Sequence, residues 1–175
     1  MVTLYIWYPA INELQVGHTS IDIDGDDYVS FWPADENSTS QRKKKKVAFS
    51  ARTWTYSESY EEDMNEEGRR ASNIIKIRGL NEKEMIRWWE DFQEESQSKK
   101  FHLIGNNCST VVAQCLYRGF KRRKGGFWEK ISDNARYYTS IAPWLNLLSD
   151  AYFWTPVQVE EFAIALKDII EDYED

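Results

Sequence analysis

The chain has few of the residues from which small proteins build metal centres and disulfides. It contains only 2 cysteines and 2 histidines in 175 residues. Cys108 and Cys115 fall on one stretch of helical pattern, about 10 Å apart along its axis, so they do not bridge and there is no disulfide framework. No CxxC or HxxxH spacing exists, which excludes the common metal centres of cysteine and histidine. Glycine is also sparse, at 8 residues. Gly125-Gly126 reads as a turn, and no glycine-rich loop is present to cradle a phosphate. No apolar run approaches the roughly 20 residues needed to cross a bilayer. The opening Met1-Val2-Thr3-Leu4-Tyr5-Ile6 lacks the basic segment and cleavage site of a leader. Positive charge is in deficit, 22 Lys and Arg against 29 Asp and Glu for a net charge of −7, which argues against a nucleic-acid partner. These absences predict a single domain over 1–175 with no bound cofactor or metal, working in a cytoplasm or delivered to one.

Aromatic residues are abundant at 15%, including 8 Trp and 10 Tyr, and 42% of the chain is hydrophobic. A chain of this length and composition buries a substantial aromatic core. Val2 to Tyr8 reads as a first strand closed by Pro9. Val16 to Ile23 alternates, with His18, Ser20 and Asp22 on one face and Thr19, Ile21 and Ile23 on the other. Asp24-Gly25 signals a hairpin, and Tyr28 to Trp32 reads as the returning strand before Pro33. Residues 34–51 turn polar and carry Lys43, Lys44, Lys45 and Lys46, predicting an exposed basic loop. Residues 60–68 are acidic and read as a loop or short helix, followed by a strand at Asn73 to Ile77. Asn81 and Glu84 resemble a capping box opening a helix with Met85, Trp88, Trp89 and Phe92. The aromatic stretch from Phe127 to Phe153 has no clear period. Thr155-Pro156-Val157-Gln158 opens a last helix whose buried stripe is Val159, Phe162, Ala163, Leu166, Ile169 and Ile170.

The stretch that organises the chain runs from Phe101 to Leu116. A short strand leads into Gly105-Asn106-Asn107, and Cys108 opens a segment whose apolar residues Val111, Val112, Cys115, Leu116 and Phe120 recur at helical spacing. A thiol at a helix N-terminus sits in partial positive charge, which favours thiolate, and the terminal N–H groups suit an oxyanion. Cys108 is thus the candidate nucleophile, and the competing reading is a small buried cap or core residue. Cys115, two turns on, reads as core packing. A thiol nucleophile needs a base and the base needs an orienting acceptor. His102 lies on the strand just before Cys108 and would have to fold back over the turn. His18, on a separate hairpin with a polar face, is the better base. Asp22, Asp63 and the amides of Asn106 and Asn107 are all candidates for the orienting group, and Asn107 also for an oxyanion donor.

Gly17-His18-Thr19-Ser20, then Tyr28 to Pro33, then Tyr60-Glu61-Glu62-Asp63, then Asn107-Cys108-Ser109-Thr110-Val111-Val112, and finally Trp154-Thr155-Pro156, together resemble the circularly permuted papain-like, NlpC/P60-related thiol enzymes. The likeness is greatest to the Rho-inactivation domains of large bacterial toxins and related effector and insecticidal-toxin domains. As in that group, the histidine precedes the cysteine. The resemblance implies an α+β fold in which an antiparallel or mixed sheet packs on a cysteine-bearing helix and further helices. It implies a triad of Cys108, His18 and Asp63. It implies fatty acyl transfer through a thioester, with acyl-coenzyme A as substrate and the lysine of a membrane-associated protein as acceptor. The same site also serves cysteine peptidases and amidases, and a non-catalytic binding module is a further alternative. Lys43 to Lys46 and Lys121, Arg122, Arg123 and Lys124 are the candidates for contact with an anionic membrane surface.

Overall fold

The computed structural model describes residues 1–10, 16–34, 50–51, 53–95, 101–103, 105–123, 126–149 and 154–174. In chain order the elements are strands β1 (Val2–Trp7), β2 (His18–Ile23), β3 (Asp27–Val29), β4 (Trp32–Pro33), β5 (Ser50–Ala51) and β6 (Trp54–Thr55), then helix α1 (Tyr60–Glu67) and strand β7 (Asn73–Ile77). They continue with helix α2 (Glu82–Glu95), strand β8 (Phe101–His102), and helices α3 (Cys108–Lys121), α4 (Phe127–Asp133), α5 (Ala135–Ser149) and α6 (Pro156–Glu174). The fold is α+β. Its main sheet has the order β3-β2-β1-β7, and every pairing in it is antiparallel, so the expected choice between antiparallel and mixed resolves to antiparallel among the described strands.

β1 is the centre of that sheet because its side chains suit burial on both sides. Val2, Leu4 and Ile6 are fully buried, and so is Trp7 on the other face. The Leu4 face packs with Ile21, Ile23, Ile75 and Ile77 against Val111, Val112 and Leu116 of α3 and Phe162 and Leu166 of α6. On the opposite face Tyr5 stacks on Tyr60 of α1, ring centroids 4.4 Å apart. The sheet is therefore sandwiched, which is why β2 is buried along nearly its whole length rather than on one face. Alternation alone does not distinguish a half-exposed strand from one whose polar face meets another polar layer.

Two strands differ from the sequence reading for a shared reason. The run Tyr28 to Trp32 breaks into β3 and β4, with Ser30 and Phe31 between them. Ser30 and Trp32 are turned into a buried polar cluster, and a flat ladder cannot serve both the β2 edge and that cluster. Of the region 34–51, Ala34 is buried and its N–H donates to the Thr53 carbonyl at 3.1 Å, while Ser50–Ala51 pairs with β8. Residues 35–49, with Lys43 to Lys46, lie outside the described residues.

The helix ends carry local signals that the chain obeys. Thr155 and Gln158 form a reciprocal capping box: Gln158 N–H donates to Thr155 Oγ1 at 3.3 Å and Thr155 N–H to Gln158 Oε1 at 2.9 Å. At α2 only half of the box forms. Asn81 Oδ1 accepts from the Glu84 N–H at 3.4 Å, but the Glu84 carboxylate turns to Arg87 at 2.9 Å. Within the stretch without a clear period, residues 127–149 form α4 and α5, with Pro143 inside α5, and residues 150–153 lie outside the described residues.

Candidate functional site

Cys108 opens α3 at the point expected of a nucleophile on a helix N-terminus. Asn107 is its N-cap: Oδ1 accepts from the Thr110 N–H at 2.8 Å and from the Thr110 hydroxyl at 3.1 Å. The other end of the same amide donates to the Leu103 carbonyl at 2.7 Å and the Trp154 carbonyl at 3.0 Å. Oxygen and nitrogen are both committed, so the Asn107 side chain clamps the turn before α3, and none of these bonds goes to His18 or Cys108. Asn107→Ala removes a cap and strands two carbonyls. It should cost about 2 kcal/mol or more in chemical denaturation and leave the pH profile of Cys108 alkylation in place. A profile displaced by about a full unit would return the amide to the sulfur.

His18 opens β2 opposite Trp7 and is buried with 2% of its surface exposed. Its Nε2 lies 3.1 Å from Asp63 Oδ2, which leaves Nδ1 as the ring nitrogen for Cys108, whose thiol the imidazole's charge lowers. The three side chains singled out in the sequence, Cys108 on α3, His18 on β2 and Asp63 on α1, are thus brought together from three separate elements. His102 is exposed on β8, where its backbone bridges Asn106. Asp22 stays in the hairpin and accepts the Gly25 N–H at 2.7 Å; the structure does not bring it to His18.

Asp63 is fully buried and carries more partners than any other side chain in the site. Oδ1 accepts from the Ser30 hydroxyl at 3.0 Å, from Trp32 Nε1–H at 2.7 Å and from the Ser57 hydroxyl. Oδ2 faces His18 and accepts from the Tyr28 hydroxyl at 2.9 Å, while the Ser20 hydroxyl lies 2.6 Å from that phenol oxygen. The sequence reading assigned no role to Ser30, Trp32, Ser57 or Tyr28. The only signal was the density of hydroxyls and indoles on strands that flank His18.

The charges follow from this packing. Burial opposes ionisation of Asp63, but the His18 charge and hydrogen bond, with those from Ser57 and Trp32, hold its carboxyl well below the usual carboxylate range. Burial likewise opposes an imidazolium at His18, yet the charges of Asp63 and then Cys108 raise its pKa to about 10. At Cys108 burial pushes the thiol up, and the His18 charge, its hydrogen bond, the Thr19 N–H and Ser109 outweigh it and lower the value. Burial, then the Asp63 charge, pushes the Tyr28 phenol well up, so it remains a donor. Cys115, by contrast, is fully buried among core residues, and burial alone raises its thiol. At neutral pH the site therefore sets an imidazolium between a carboxylate and a thiol that its charge shifts toward thiolate.

Lys121 and Arg122 are exposed at the far end of α3, about 20 Å of helical rise from Cys108, with Arg123 half-buried beside them. Lys121 lies over the rings of Tyr117 and Trp128 at 5.5 and 5.7 Å. Lys124 is outside the described residues. These cations are not part of the Cys108 site. Among the described residues there is no group of three or more His, Cys, Asp or Glu placed to hold a metal ion, and no helix is long and apolar enough to cross a membrane.

Fold and site together define an α+β domain with a buried cysteine–histidine–aspartate array at a helix N-terminus. The family model of the IcsB middle domain matches residues 65–175, well over half of the chain, and the chain belongs to that family. The match takes in Cys108 and the helices that surround it, while His18 and Asp63 lie ahead of it. No curated protein and no solved structure matches the chain.

Proposed function

We propose that this protein is a cysteine-dependent acyltransferase of the permuted papain-like kind, transferring a fatty acyl group from acyl-coenzyme A to a lysine of a protein substrate. The observation that carries the reading is the buried array of Cys108 at the start of α3, His18 beside it and Asp63 behind the imidazole at 3.1 Å, with the thiol shifted toward thiolate by the His18 charge. In the first half-reaction the thiolate attacks the thioester carbonyl, the bond from carbonyl to coenzyme A sulfur breaks, and His18 gives its proton to the departing thiolate. In the second, the acceptor amine attacks the Cys108 thioester, the carbon–sulfur bond to Cys108 breaks, and the neutral His18 takes the amine's proton. Both oxyanions would lie at the N-terminus of α3, where the Cys108 N–H points and the helix dipole favours negative charge. The order His18, Asp63, Cys108 along the chain and the Asn107-Cys108-Ser109-Thr110 block support the family likeness. Delivery into a host cytoplasm and contact with an anionic membrane surface through the basic runs belong to the same proposal.

Intact mass after incubation with palmitoyl-coenzyme A tests it. Wild type should gain one acyl group that hydroxylamine removes, and Cys108→Ala should gain none. An unmodified wild type whose Cys108 still reacts with iodoacetamide at pH 6 would overturn acyl transfer and direct the same nucleophile to peptide or amide substrates.

A further inference from the structure

We propose that Trp32 is a positioning residue that holds His18 as an imidazolium aimed at Cys108, by stacking on its ring and hydrogen-bonding the carboxylate behind it. The inference rests on the thiolate–imidazolium reading of the site. Trp32 lies on β4 and is almost fully buried. Its ring is stacked on the imidazole with centroids 4.2 Å apart and planes at 27°. The same indole donates Nε1–H to Asp63 Oδ1 at 2.7 Å. One rigid side chain thus touches both the base and its orienting acid.

Each contact acts on the same equilibrium. An indole face attracts a cation, and within about 6 Å of the ring this favours imidazolium over imidazole. The N–H bond to Oδ1 fixes the carboxylate plane so that Oδ2 stays in line with Nε2, and it stabilises the anion that pairs with the imidazolium. Trp7 also lies beside the imidazole, with ring centroids 5.5 Å apart and planes at 46°. Trp7 is different in kind: its Nε1–H donates to the Arg69 carbonyl at 2.9 Å and has no bond to the acid. The site therefore contains its own comparison, two indoles beside one imidazole with only one of them bound to Asp63.

The test uses the full chain and exploits its having only two histidines. Histidine Cε1 signals are followed by NMR against pH, and alkylation of Cys108 by iodoacetamide is followed in parallel, with Cys108→Ala as the blank. Trp32→Phe keeps the aromatic face and removes the donor; Trp32→Leu removes both. Wild-type His18 should remain charged to about pH 10. Trp32→Phe should lower that midpoint by about one unit and slow alkylation at pH 6 by about threefold to tenfold, with Trp32→Leu lower and slower still. Trp7→Phe should move the midpoint by less than half as much. If Trp32→Leu does not fold, Trp32→Phe against Trp7→Phe decides the matter alone. Superposed profiles for wild type and Trp32→Phe, or equal shifts for the two phenylalanine variants, would overturn the role of Trp32 while leaving the ion pair intact. A wild-type His18 that titrates near pH 6.5 would overturn both the ion pair and this inference.

Discussion

Asp63→Asn should slow acylation of Cys108 by an activated thioester on the order of 10⁴-fold, the size of effect seen when the orienting acid of a triad is made neutral. The loss follows from what an amide does in this particular cage. Oδ1 of Asp63 faces three donors and Oδ2 faces two. Of these, Ser30, Ser57 and Tyr28 can turn their hydroxyls away, but the Trp32 N–H is fixed by its ring. The single carbonyl oxygen of Asn is therefore drawn to the Trp32 side, and its NH₂ is left facing His18 Nε2. An NH₂ there requires Nε2 to accept, which places the imidazole proton on Nδ1 in the neutral ring. That tautomer has no lone pair facing Cys108 and cannot take up the thiol proton. The same change leaves a buried donor cage half-satisfied, and removing one partner of a buried charge pair typically costs about 3–5 kcal/mol. Chemical denaturation measures the second effect and stopped-flow acylation the first. Acylation within about tenfold of wild type would mean that Asp63 neither orients nor charges His18.

How legible the site was depended on whether its geometry is local. The Thr155 capping box, the start of α3 at Cys108 and the hairpin at Asp24 and Gly25, both with positive φ, involve residues three or four positions apart. Hydrogen-bond stereochemistry over such short spans leaves a signature in the sequence. The buried stripe of α6 is legible for the same reason, since a period of 3.6 is imposed by the backbone. Asp63 is the opposite case. Nothing in Tyr60-Glu61-Glu62-Asp63 separates the buried carboxylate from its exposed neighbours. What makes Asp63 special is the convergence of Ser57, Tyr28, Ser30 and Trp32, drawn from up to 35 positions away along the chain. Its identification came from family likeness rather than from the residues themselves.

Asn107 shows how one residue type fits two roles. An asparagine beside a nucleophile suits an oxyanion donor and an N-cap equally well, and only the three-dimensional positions of the Leu103 and Trp154 carbonyls separate the two. α5 falls in the stretch without a clear period, and it holds Pro143 in its interior. The residue before a proline is biased away from helical geometry, but the bias is overcome when apolar neighbours are buried on both sides of it. Here Ile141 is fully buried, and Trp144 packs on Trp154 and Phe162.

The pH dependence of stability gives the site a signature that needs no substrate. In the unfolded chain His18 titrates near 6.5 and Cys108 near 9.0, and in the folded protein His18 holds its proton to about pH 10 while Cys108 has lost its own below the ordinary thiol value. The raised His18 pKa makes the folded state bind more protons than the unfolded above pH 6.5, so this group's stability is lost as pH rises from 6.5 through about 10. The lowered Cys108 pKa makes the folded state bind fewer protons below 9.0, so this group's stability is lost as pH falls from 9.0. Between pH 6.5 and 9.0 the two slopes oppose each other. Asp63 adds a further loss only in acid, below the ordinary carboxylate value, because its folded pKa is depressed. Cys108→Ala should remove the opposing slope. With Asp63 still holding His18 above its unfolded value, that variant should lose stability as soon as pH rises past 6.5, by up to about 1.4 kcal/mol per unit until the folded imidazolium deprotonates. Denaturant midpoints for the two proteins, taken every half unit from pH 6 to 10, give the difference curve directly. A Cys108→Ala profile parallel to wild type across that range would mean that Cys108 is a neutral thiol, and that no ion pair exists for His18 to share.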